Sequence, residues 1–200
     1  MTQSCWISRF FALLLLVGLA LPAAAQDDTT QNNTGGSAQD ATFSQEEVLE
    51  KARGFFGETT AGLAKAIEKV FADKGRPNAY IAGEEASGAI AVGLRYGKGE
   101  LVRKTGAGRQ VFWQGPSIGF DLGGNASKVF TLVYNLGTTD ELFQRFPGVD
   151  GSAYLVAGFG VNYQQSGNII LAPIRTGAGL RLGVSAGYLH YTRESSWVPF

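Results

Sequence analysis

Hydrophobic and polar positions divide the chain into stretches of different rhythm. An unbroken apolar run extends from Phe10 to Leu21, and a polar stretch from Gln26 to Ala41 follows it without one large apolar residue. From Ser44 the apolar positions recur every three or four residues: Val48, Leu49, Ala52, Phe55 and Phe56, then Leu63, Ala66, Ile67, Val70 and Phe71. This spacing gathers them on one helical face and predicts two short amphipathic helices. Ser44-Gln45-Glu46-Glu47 fits a capping box for the first, and Gly57 ends it. The second is expected to begin near Thr59 or Thr60 and to stop before Gly75 and Pro77. Packing on a sheet is preferred to attachment to a membrane surface, because the polar faces are not Lys-rich.

From Tyr80 the period changes to two. Ile90, Val92, Leu94 and Tyr96 alternate with Ala89, Ala91, Gly93 and Arg95. Gly97-Lys98-Gly99 then reads as a turn toward a partner strand at residues 100–104. Ile118, Phe120 and Leu122 alternate with Ser117, Gly119 and Asp121, and Leu180, Leu182, Val184 and Tyr188 with Arg181, Gly183, Ser185 and Gly187. Two segments, 129–134 and 153–161, are apolar or small on both faces, as suits strands covered by the helices. Residues 138–146 read as one short helix capped by Thr138 or Thr139. The 28 glycines recur inside strands, at about twice the usual ~7%. Glycines at bulges and corners let a small sheet curl and close. The expected fold is mainly β: a small closed antiparallel barrel of roughly eight strands over residues 76–200, forming one globular unit with a helical segment over 44–75.

The apolar run at the start has a different meaning. It follows Arg9 and precedes Ala23-Ala24-Ala25, the order of charge, greasy segment and small-residue cleavage site that marks a secretory signal peptide. Residues 1–25 are therefore expected to be removed, and residues 26–43 to form a disordered linker. Removal takes away Cys5 and Arg9 and no acid, so 17 bases and 17 acids become 16 and 17, and no cysteine remains. Near-neutrality gives no electrostatic case for nucleic acid. An exported chain without disulfides must rely on its core.

Candidate chemistry is sparse. His190 is the only histidine, which excludes a two-histidine metal site and makes a structural role on a strand with Tyr188 and Thr192 the expectation. No serine sits in a nucleophile elbow. Glu84 and Glu85 are adjacent in a strand and point to opposite faces, so they cannot serve one bond; they read as turn or rim charges. The sequons at Asn32 and Asn125 carry little weight. The glycine runs at 115–124 and 177–183 lead into strands rather than opening helices, unlike phosphate loops. Trp113, Phe120, Phe130, Tyr134, Phe159 and Tyr163 could line a barrel interior around an apolar ligand, or fill it as a core. No catalytic, cofactor-binding or metal-ligating residue and no cofactor is expected.

Several runs carry a resemblance: Gly83-Glu84-Glu85-Ala86-Ser87-Gly88, Val92-Gly93-Leu94-Arg95-Tyr96-Gly97-Lys98-Gly99, Trp113-Gln114-Gly115-Pro116-Ser117-Ile118-Gly119-Phe120-Asp121 and Val129-Phe130-Thr131-Leu132-Val133-Tyr134-Asn135. From about Tyr80 to Phe200 the chain resembles the alphaproteobacterial envelope integrity protein A family. The resemblance implies a soluble periplasmic β-barrel without assigned enzymatic activity that helps maintain the cell envelope, and it transfers no functional residue. More remotely, the order of glycine-rich hairpin and strands is similar to SYLF lipid-binding domains, though this chain lacks their basic N-terminal helix. Three readings follow. The first is a non-catalytic envelope factor in contact with the outer membrane, its lipopolysaccharide or the peptidoglycan machinery. The second is a carrier of lipid or a small apolar ligand. The third is an integral outer-membrane barrel, which the helices, the doubly apolar strands and Pro199 disfavour.

Overall fold

The computed structural model describes residues 41–57, 61–121, 126–176 and 187–196. Helix α1 (Gln45–Phe56) starts where the capping box places it. The Ser44 hydroxyl accepts the Glu47 amide at 3.2 Å, and the Glu47 carboxylate accepts the Ser44 amide at 2.7 Å. This reciprocal pair satisfies two amides that the helix start would otherwise leave unpaired. Gly57 ends α1 in the left-handed region at φ 85°. Helix α2 (Ala61–Lys74) stops at Gly75, whose amide donates to the Phe71 carbonyl at 2.8 Å; its expected start at Thr59 or Thr60 lies outside the described residues. Val48, Ala52, Leu63, Ala66, Ile67 and Val70 are buried against the sheet, so the apolar stripes are packing surfaces. Phe43 joins them, its ring 5.3 Å from that of Tyr80, and Arg76 donates to the Thr42 hydroxyl and carbonyl. Thr42 and Phe43, expected to lie in the linker, are therefore part of the packed chain.

Nine strands among the described residues form one antiparallel sheet: β1 (Ala79–Arg103), β2 (Arg109–Asp121), β3 (Ala126–Tyr134), β4 (Arg145–Pro147), β5 (Tyr154–Val156), β6 (Phe159–Val161), β7 (Gln164–Ser166), β8 (Ile169–Thr176) and β9 (Tyr188–Thr192). Their order is β4-β9-β2-β1-β3-β8-β6-β5, with β7 also on β8. Val161 faces Ile174 and Gln164 faces Leu171, so β6 and β7 share one register on β8 and form a single strand interrupted at Asn162 and Tyr163. The far ends of the curl meet through one isolated bridge, Gly148 to Gln164, and a hydrogen bond from the Val149 amide to the Tyr163 carbonyl. Among the described residues the sheet is thus curled and barrel-like, without the full closing ladder of the expected eight-strand barrel. The strands at the seam are only three residues long, and the turn after Val149 breaks their pairing.

β1 decides the curl. Straight, its 25 residues would span ~80 Å at 3.3 Å each. Instead one arm, from Ala79 to Ala86, pairs with β3, and the other, from Ala89 to Leu101, pairs with β2. Gly97-Lys98-Gly99 is therefore no turn but lies within the second arm; the chain turns at residues 104–108. The glycines permit contact between the arms. A methyl group on Gly83 would strike the backbone of Lys98 and Gly99, and one on Gly97 would overlap the Trp113 ring.

Two other expectations change. Residues 138–146 hold one 3-10 turn, Thr139–Leu142, before β4. Phe146 is drawn opposite Leu189 of β9 and buried there. Residues 153–161 form the hairpin β5–β6 rather than one strand, turning at Ala157 and Gly158 with φ 45° and 93°. β3 is buried on both faces, as expected. Val129, Thr131 and Val133 face into the curl, and Phe130, Leu132 and Tyr134 lie under the helices. The interior is packed with Ile81, Leu101, Val111, Val133, Leu171 and Leu189. The expected alternations at Ile90, Val92, Ile118, Phe120 and Leu122 and at 180–184 concern side chains outside the described residues, as do residues 1–25, Pro199 and Phe200.

Candidate functional site

Alternation along β1 exposes Glu84 and turns Glu85 inward, where it is 3% exposed. A lone carboxylate in that position would cost several kcal/mol of desolvation. Donors from three directions surround it. Arg175 of β8 donates from Nε to Oε1 at 3.1 Å and from Nη2 to Oε2 at 3.3 Å. The indole N–H of Trp113, on β2, donates to Oε2 at 2.9 Å. Arg95, on the second arm of β1, places Nε 3.1 Å from Oε1. Arg175 is itself held from behind, because its Nη1 donates to Oδ1 of Asn162 at the break between β6 and β7. The cluster therefore pins both arms of β1, β2, β8 and the interrupted strand to one another across the interior.

The electrostatics follow from this geometry. Burial pushes the Glu85 carboxyl up, but Arg175 and Arg95, with the hydrogen bonds from Arg175 and Trp113, outweigh it and hold the group below the usual carboxylate range. Ionised and saturated with donors, Glu85 has no proton to give and little basicity to offer near neutral pH. The side chains of Arg95 and Arg175 are 24% and 17% exposed, against 4% for Glu85. Tyr191 walls the apolar side, its ring 5.8 Å from Trp113 and 5.7 Å from Phe146, and burial pushes its phenol far above the ordinary range.

The rim reading of the glutamates thus holds for Glu84 and fails for Glu85. The missed signal was phase: Glu85 shares the inward positions of Ile81 and Gly83, and Arg95 shares those of Gly97 and Gly99. Of the six aromatic residues suggested as an interior lining, Trp113 is inside. Phe130, Tyr134, Phe159 and Tyr163 pack under the helices, and the Phe120 side chain lies outside the described residues. His190 is half-buried opposite Gln114 and Arg145, and burial, aided by Arg145, lowers its pKa. A second polar group sits between helix and sheet, where the Tyr154 and Tyr163 hydroxyls meet at 2.9 Å and Tyr163 donates to Asp73 at 2.8 Å. Lys69 pairs with Asp73 at 2.6 Å and lies over the Tyr154 ring, so this cluster is filled by the chain's own cation. Among the described residues, no group of three or more His, Cys, Asp or Glu side chains could hold a metal ion, and no helix is long and apolar enough to cross a membrane.

Known proteins supply a frame for this arrangement. Comparison with curated proteins gives no match. Among solved structures, a beta-barrel-like, uncharacterized protein from Brucella abortus is 51% identical; the match covers 80% of this chain and 99% of that one, with a TM-score of 0.72. The family model for envelope integrity protein A matches residues 41–200, a span that includes the helices, the curled sheet and every residue of the Glu85 cluster. The chain belongs to the envelope integrity protein A family.

Proposed function

We propose that the mature chain is a non-catalytic periplasmic protein that supports the cell envelope by binding its components rather than transforming them. The observation that carries this reading is the condition of Glu85. The most buried acid among the described residues has both oxygens committed to Arg175 and Trp113, with Arg95 alongside, which suits a clasp and not a proton shuttle. Export through the leader expected at residues 1–25 would carry the protein beyond the inner membrane, and membership of the envelope integrity protein A family supports an envelope role. Helices covering one face of the sheet favour a water-soluble body over an integral outer-membrane barrel, because a lipid-facing wall leaves no room for such a cover. The partners are components of the outer membrane, its lipopolysaccharide or the peptidoglycan machinery.

Complementation tests the reading. In a strain lacking the protein, the wild-type chain should restore detergent resistance and should be released by osmotic shock at the mass of the mature form. A Glu85→Gln allele brought to equal folded level should restore resistance equally well. Loss of rescue at equal level would assign Glu85 to chemistry and overturn the non-catalytic reading. Retention in the membrane pellet until detergent is added would overturn the periplasmic placement.

A further inference from the structure

We infer that the cleft between the end of β1 and the start of β2 is a phosphate subsite, in which Arg103, Arg109 and Thr139 hold the phosphomonoester group of a ligand. The inference rests on the proposed binding role and gives that role its chemistry.

The cleft has a volume of about 390 Å³ and is lined by Arg103, Ala107, Gly108, Arg109 and Thr139. Small-molecule sites usually fall between ~300 and ~1,000 Å³. The order of elements assembles this one: Arg103 closes β1, Arg109 opens β2, and Thr139 begins the 3-10 turn that follows β3. Two guanidiniums and a hydroxyl thus line one space, beside two small residues, and no acid is part of its wall. The Arg109 side chain is 49% exposed, so a ligand reaches it from solvent.

The chain does little to neutralise that wall. Arg103 is held by neutral oxygens: its Nη2 donates to the carbonyls of Gly137 at 2.6 Å and Leu136 at 3.4 Å, and its Nε is buried without an acceptor. Arg109 pairs with Asp140 only at 4.0 Å, and that acid already accepts from Arg193 at 2.8 Å. One carboxylate therefore stands between two guanidiniums. Of the other acids nearby, Glu141 is committed to the amides of Gly137 and Thr138 and to the Thr138 hydroxyl, and Glu100 approaches Gly108. Arg109 and Arg193 both lie over the Phe143 ring, at 5.5 and 4.6 Å. Stacking restrains Arg109 before a ligand arrives, which lowers the cost of ordering it on binding. A phosphomonoester carries between one and two negative charges near neutral pH and three acceptor oxygens. It offers both guanidiniums a charged partner and the Thr139 hydroxyl an acceptor.

The test uses the chain that begins at residue 26. Inorganic phosphate, glucose 6-phosphate and neutral glucose are titrated by calorimetry at constant ionic strength, with chloride as the background anion. Phosphatidic acid and phosphatidylcholine vesicles are compared by flotation. Both soluble phosphates should bind saturably at millimolar concentration and raise the melting temperature by several degrees, and glucose should do neither. Flotation with phosphatidic acid alone would identify a lipid headgroup as the source of the phosphate, and soluble binding without flotation a phosphorylated sugar. Arg109→Gln should weaken binding at least tenfold. Asp140→Asn removes the acid that competes for Arg109 and should tighten binding severalfold, which keeps the test decisive if Arg109→Gln unfolds. No saturable response to either phosphate or to phosphatidic acid overturns the subsite, as does a response unchanged in both variants. Failed binding with intact wild-type complementation removes the subsite alone. Failed complementation with intact binding removes the envelope role alone.

Discussion

Glu85 is tolerated in the interior because its donors arrive from strands far apart in sequence, and its removal is correspondingly costly. Glu85→Ala leaves two guanidiniums facing the vacated space and should lower stability by ~3–5 kcal/mol, the usual result of breaking a buried pair from one side, as read by urea unfolding. The pH dependence has a definite sign. The folded carboxyl titrates below its ordinary value of 4.5, so its contribution is complete above that pH and is lost as the pH falls through the folded pKa. Glu85→Gln should show a shallower loss of urea midpoint between pH 4.5 and 2; a slope equal to wild type would remove Glu85 as the source. The glycines divide in the same physical way. Gly83→Ala meets backbone that cannot yield and should cost ~1–3 kcal/mol or more. Gly54→Ala, on an open face of α1, should gain up to ~1 kcal/mol from helix propensity.

Elements were legible where their determinants are local. The start of α1 is written in four consecutive residues, and the hydrogen bonds form as those residues specify. Ser44→Ala should cost ~1 kcal/mol, measured by thermal unfolding. The segment after Thr138 was illegible for the opposite reason. Its start is helix-compatible, but pairing of Phe146 with Leu189 across the chain stops the helix after one turn. The hairpin at Ala157 was hidden likewise, because Ala is a poor signal for a position at φ 45°. Two-residue hairpin turns favour residues that accept positive φ. Ala157→Gly should therefore stabilise the protein by ~1 kcal/mol, the strain a left-handed alanine carries. A lower melting temperature in that variant would argue that the Ala157 methyl is needed for packing.

Across the molecule, Thr42 and Phe43 are already held to the helices and the sheet. A chain that begins at residue 42 should melt with one that begins at residue 26. Removal through Gly57 should uncover Tyr80 and Phe130, from which Phe43 and α1 are stripped, and yield aggregate on gel filtration. The exchange of rhythm from 3.6 to 2, the capping box and the small-residue content settled a mainly β protein with two helices and a curled sheet, since these depend on each residue's own geometry and on near neighbours. The burial of Glu85, the seam at Gly148 and the side on which Trp113 lies were decided only by the tertiary structure. Each depends on which strands stand opposite one another. Charge compensation between residues 85 and 175 depends on how the sheet bends, and no local spacing encodes that.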